Sequence, residues 1–121
     1  MSTILVIDDN AGIRQSLSEL LGLENWQVLE APNGVAGAKM ALERQPDLIL
    51  CDVNLPLLDG FGVLELLHGD EKTARIPFLL MTAAPELRGY GATRNITADR
   101  IIAKPFDITT MLDAIKRCLP Q

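Results

Sequence analysis

The chain has 121 residues, 48% of them hydrophobic, with 16 acidic and 11 basic side chains for a formal net charge of −5. This predicts one soluble globular domain over residues 1–121, able to bury about two-thirds of its unfolded surface without a metal or disulfide staple. It argues against nucleic acid as a direct partner, because phosphate binding draws on an excess of Lys and Arg.

In chain order, the first apolar run is residues 4–7, closed by Asp8 and Asp9. Asn10 is placed to cap a helix whose apolar stripe is Ile13, Leu17, Leu20 and Leu21, at i, i+4, i+7 and i+8. A second run at Val28 and Leu29 is followed by Asn33 and Gly34, which open a small-residue helix through Met40 and Leu42. The third run, residues 48–51, is closed by Asp52, and Asp59 opens a helix through Leu64 and Leu67. The fourth, residues 78–81, leads into Thr82. Residues 85–99 carry the weakest helical pattern, since Gly89 and Gly91 each cost about 1 kcal/mol against Ala in a helix interior, and a short or frayed helix is expected there. The fifth run, residues 101–103, meets Lys104, after which Asp107 caps a helix bearing Ile108, Met111, Leu112, Ile115 and Leu119.

The runs start about 20 to 30 residues apart, the length of a strand plus a crossover helix, and they do not alternate polar with apolar. Five parallel strands in an α/β three-layer sandwich are therefore predicted, with right-handed crossovers placing helices on both faces. No run approaches the ~20 residues of a bilayer span. Asp8 and Asp9 interrupt any signal-peptide core, so the chain is expected to be cytoplasmic, neither secreted nor inserted in a membrane. Cys51 and Cys118, in an apolar run and a helical pattern, read as reduced core thiols of such a compartment.

In open parallel sheets, polar residues just past the strand ends gather at one edge. Here those residues are Asp8 and Asp9, Asp52, Thr82 and Lys104. Residues 1–71 hold 12 acids and 3 bases, residues 72–121 hold 4 acids and 8 bases, so an acidic half can meet a basic one there. Converging carboxylates raise one another's pKa unless a cation lies between them, and a hard divalent ion such as Mg²⁺ takes oxygen ligands of this kind. Asp52 is the candidate nucleophile toward phosphorus, Lys104 the cation for a phosphoryl oxygen, and Thr82 a hydroxyl donor to another. Read singly, each has an ordinary alternative: a strand-to-helix cap, a surface lysine, or turn chemistry among Asn54, Pro56, Asp59 and Gly60. Their coincidence at all four strand ends favours a site.

The segments ILVIDDN, LILCDVNLPLLDG, PFLLMTA and IIAKPF together resemble the receiver domain of two-component response regulators, across essentially the whole chain. The resemblance implies a flavodoxin-like (βα)5 fold with strand order 2-1-3-4-5, an order the switch-point rule itself illustrates with a receiver. It implies Asp52 as phosphoacceptor, Asp9 as a direct Mg²⁺ ligand, Asp8 as a ligand through water, and Asn54 as a ligand by its backbone carbonyl. Thr82 becomes the switch hydroxyl, Lys104 the phosphate-binding lysine, and the Lys104–Pro105 bond cis. Implied partners are a histidine kinase or histidine phosphotransfer protein and a downstream protein target, with dimerisation through the face of the fourth helix, fifth strand and fifth helix. Phosphorylation adds charge and acceptor oxygens beside Thr82 and Lys104, drawing both loops inward.

Two departures fall on that face. Ile101 stands where most members carry an aromatic switch residue, and Thr97-Ala98 where Gly-Ala is frequent. A nonstandard output is therefore expected, with Tyr90 a surface tyrosine rather than a substitute. Asn54 and Ala84, two past Asp52 and Thr82, are expected to flank the attacking water. His68 reads as a surface histidine and Trp26 as packing. With Gln121 the last residue, action by docking or by phosphate relay is expected. Two rivals remain: a haloacid-dehalogenase-like phosphohydrolase, which needs an acid where Asn54 stands, and a receiver-fold adaptor that is not phosphorylated.

Overall fold

A computed structural model of the chain describes residues 1–83 and 101–119. Its elements are β1 (Thr3–Ile7), α1 (Ala11–Gly22), β2 (Gln27–Ala31), α2 (Gly34–Arg44), β3 (Leu48–Asp52), α3 (Gly60–His68), β4 (Phe78–Thr82), β5 (Ile101–Ala103) and α4 (Ile108–Cys118). All strand pairs are parallel, in the order β2-β1-β3-β4-β5. The predicted helix over residues 85–99 lies outside the described residues, as do Ala84, Tyr90, Thr97 and Ala98.

Each predicted capping residue does its work through a side-chain oxygen. Asn10 accepts from the Ile13 amide at 3.0 Å, Asn33 from Ala36 at 2.7 Å, Asp59 from Gly62 at 2.8 Å and Asp107 from Thr110 at 3.1 Å. Each satisfies an amide that the first helical turn leaves without a partner.

The unbroken apolar character of the strands has its cause in two cores. On one face Ile4, Val6, Leu50 and Met81 meet Leu17 and Leu21 of α1 and Met111 and Ile115 of α4. On the other, Leu5, Ile7, Ile49 and Leu80 meet Ala38 and Ala41 of α2 and Leu64 and Leu67 of α3. Adjacent strand residues thus serve opposite cores. β2 differs: Gln27 and Glu30 are exposed, because it forms an edge. Leu20, expected in the core stripe of α1, is 39% exposed, since one more apolar position than the sheet can cover falls on that helix. Cys118 is only partly buried, on the last turn of α4, whereas Cys51 is fully buried.

Register brings the chemistry level. Ile7 pairs with Cys51, Asp52 with Met81 and Thr82 with Ala103, so Asp8, Asp52, Thr82 and Lys104 all emerge at one edge. Gly60, the first residue of α3, donates to Val53 O at 2.9 Å. A Cβ there would lie 2.6 Å from Asp52 O, 2.8 Å from Leu80 Cδ2 and 2.9 Å from Val53 Cα. Gly60→Ala is expected to lower stability by about 1–3 kcal/mol in urea titrations, through overpacking against β3. An unchanged midpoint would show that α3 seats without that close approach.

Candidate functional site

The edge is organised around one ammonium group. Lys104 Nζ donates to Asp52 Oδ2 at 3.0 Å and lies 3.5 Å from Asp8 Oδ2. Its backbone amide donates to Thr82 O at 2.7 Å, tying the start of the β5–α4 turn to the end of β4. The Lys104–Pro105 bond is cis, as the resemblance implies. Thr82 itself is fully buried.

Asp8 is held from several sides. Its amide donates to Ala31 O at 3.2 Å, and its Oδ1 accepts from the Asn10 amide at 2.9 Å. Its carbonyl accepts from Arg14 Nη1 at 2.7 Å, while Arg14 Nε donates to Glu30 Oε1 at 3.1 Å. Arg14 was not among the residues predicted to matter. The signal was available: helical side chains lean toward the helix N-terminus, so an arginine in the first turn of α1 reaches back over the strand end.

Asp8, Asp9 and Asp52 each offer a carboxylate oxygen within 4.8 Å of the others. Asp9 is exposed, whereas Asp8 and Asp52 are buried. Asp52 Oδ1 accepts from the Asn54 amide at 3.2 Å. Asp8 Oδ2, fully buried, meets no hydrogen-bond donor among the described residues, and Lys104 Nζ at 3.5 Å opposes its charge. Burial therefore pushes the Asp8 carboxyl upward in pKa; the Asn10 amide and Lys104 pull it back, and the charge of Asp52 adds to the rise.

One ammonium among three carboxylates leaves a deficit of positive charge. An all-oxygen donor set with one buried, undonated carboxylate oxygen fits a hard divalent ion that keeps part of its water shell, as Mg²⁺ does. Burial, then the charges of Asp52, Asp8 and Asp59, also push the Cys51 thiol well up. Ile101 pairs in register with Leu80 and is buried in the α2–α3 core, where it reinforces packing.

Beside this edge runs an open groove of about 750 Å³, lined by Ile13, Leu17 and Leu20 of α1 and by Lys104, Pro105 and Phe106. The partial exposure of Leu20 is what gives the groove its apolar floor.

Comparison with known proteins agrees with the fold. The family model described as response regulator receiver domain matches residues 4–116. A DNA-binding dual master transcriptional regulator, RpaA of Synechocystis, is 38% identical over 119 residues, which are 98% of this chain and 49% of that protein. The chain thus spans about half the length of that relative. Sporulation initiation phosphotransferase F of Bacillus subtilis is 35% identical over 117 residues, 97% of this chain and 93% of that one. Among solved structures, the receiver domain of the sensor histidine kinase PA1611 of Pseudomonas aeruginosa has magnesium coordinated in its active-site cleft. It superposes with a TM-score of 0.85 at 25% identity, covering 96% of this chain and 95% of that one.

Because the folded pKa of Asp8 lies above its unfolded value, its protonated form favours folding, and that contribution is lost as pH rises through the folded pKa. In Mg²⁺-free buffer, Asp8→Asn is expected to gain more stability over wild type at pH 7 than at pH 4 in urea titrations; an equal gain at both would refute the charge origin. Cys118 is expected to react with a thiol reagent at least about tenfold faster than Cys51 in the folded protein, read by peptide mass, because only thiolates react.

Proposed function

Since the chain belongs to the response regulator receiver domain family, whose members are phosphorylated on aspartate with Mg²⁺, we propose that it takes a phosphoryl group onto Asp52 from a phosphohistidine protein and thereby changes its binding to a downstream protein. The observation that carries this reading is the Asp52 carboxylate at the end of β3, hydrogen-bonded to Lys104 and within reach of Asp8 and Asp9.

In the step itself, a carboxylate oxygen of Asp52 forms a bond to phosphorus as the phosphorus–nitrogen bond of the donor breaks, and the released imidazole takes up a proton. Asp8, Asp9, Asp52 and the Asn54 carbonyl would hold Mg²⁺, which when bound offsets the charge of the carboxylates and of the phosphoryl oxygens. Lys104 exchanges its bond with Asp52 for one with a phosphoryl oxygen, and Thr82 donates its hydroxyl to another. The modified group is the protein's own side chain, so this is self-modification followed by slow hydrolysis, not turnover of an external substrate. Receiver domains are in general signalling domains of this kind.

The groove beside Lys104 supplies the docking place for the donor. Ile13 and Leu20 with Pro105 and Phe106 present apolar surface at the rim of the acidic edge, suited to a helical kinase or phosphotransfer domain that carries its histidine inward. Ile101 in the core takes the place of the usual aromatic switch residue, so the change of state is carried by the Thr82 and Lys104 loops. No described helix is long and apolar enough to cross a membrane, and neither cysteine is in a disulfide, which supports a cytoplasmic setting.

Intact mass after incubation with acetyl phosphate and Mg²⁺ is expected to show one phosphoryl adduct, absent without Mg²⁺ and absent in Asp52→Ala. Lys104→Met is expected to slow its formation by about 10²-fold, the usual effect of losing one positioned donor. An adduct that survives in Asp52→Ala, or none under conditions that label another receiver, would overturn the assignment.

A further inference from the structure

A second apolar groove lies on the opposite side of the sheet from the first, between α2 and α3. It holds about 390 Å³ and is lined by Val35, Leu42, Leu58 and Leu66, with Lys39 and Glu43 among its residues. Val35 is 59% and Leu66 46% exposed. Leu57, next in the chain to Leu58, is fully exposed and sits at φ 68°, a conformation that leucine adopts only at a cost. Nothing in the receiver chemistry uses this surface.

We propose that this face is occupied by a second copy of the chain, with the two α2 helices antiparallel across a twofold axis beside Leu42. The argument is one of charge. Val35, Lys39, Leu42 and Glu43 fall at i, i+4, i+7 and i+8, one stripe of α2. Lys39 and Glu43 are both exposed and, among the described residues, make no ion pair with each other; lysine ahead of glutamate is the weaker order for such a pair within a helix. A twofold interface brings residue i against j and j against i. Antiparallel α2 helices centred between these residues set Lys39 of each copy against Glu43 of the other, twice, and bury Leu42 near the axis. A partner surface of a single sign would be repelled by one of the two charges, whereas a second copy satisfies both.

The geometry keeps this contact away from the groove at Lys104, because α2 and α3 cover the sheet face opposite α1 and α4. It rests on the α2–α3 surface alone and stands or falls independently of Asp52. A stable dimer buries about 800 Å² per partner, so a pair of helices with flanking leucines gives a weak, concentration-dependent association.

Sedimentation equilibrium of the full chain over a concentration series tests it. Wild type is expected to pass from monomer to dimer, and Lys39→Glu and Glu43→Lys, both at exposed helix positions, are each expected to raise the dimer Kd at least about tenfold, equivalent to about 1.4 kcal/mol. Mixed in equal amounts, the two variants are expected to pair again, since two acids on one copy's contact then meet two lysines on the other's. Thermal melts by circular dichroism establish that each variant is folded, and if one is not, the other carries the comparison. Wild type that stays monomeric to about 1 mM, or a dimer that neither reversal weakens, overturns the proposal.

Discussion

The arrangement at the sheet edge depends on a single electrostatic balance: one lysine ammonium against the carboxylates of Asp52 and Asp8. Carboxylates withdrawn from water lose several kcal/mol of hydration each, which only close partners and hydrogen bonds offset. Backbone amides of Asn10 and Asn54 and the ammonium of Lys104 supply part of that compensation, and the excess of negative charge that remains suits a divalent ion. The fold accepts this local cost because two dry cores, one on each face of the sheet, hold the strand ends where they are.

Those two cores also divide the labour of the surface. α1 and the turn after β5 border the reactive edge, and the surplus leucine of α1 gives that border an apolar floor. α2 and α3 border nothing reactive, yet they too keep leucine and valine in solvent. The sheet itself lies between the two, so one face can engage a donor while the other engages a different surface.

Much of this was legible in the residues. Runs of apolar side chains without alternation specified buried parallel strands, and Asn10, Asn33, Asp59 and Asp107 marked the helix starts to the residue. The gathering of Asp8, Asp9, Asp52 and Lys104 followed from their positions at strand ends, since register does the rest. Less legible were properties that depend on which side of an element faces what. The pattern of α1 read as four core positions because periodicity reports a stripe and not how wide a strip the sheet covers, and Leu20 fell outside it. Arg14 escaped notice because its role is a bond to a main-chain oxygen, which carries no residue type to pair with it in sequence. Turn chemistry, the ordinary alternative at Gly60, says nothing of the close packing against Asp52 O that its lack of a side chain allows.

The partners of the central ion pair lie 52 residues apart, and the acids come first. During synthesis at roughly 5–20 residues per second, Asp52 leaves the ribosome about 3–10 s ahead of Lys104. For that interval the emerging chain carries Asp8, Asp9 and Asp52 without Lys104 to oppose them and without the fifth strand to complete the sheet. On the proposed function, competence for phosphoryl transfer onto Asp52 therefore arrives only once the fifth strand and Lys104 are in place, so that a chain still lacking them is mute to its donor.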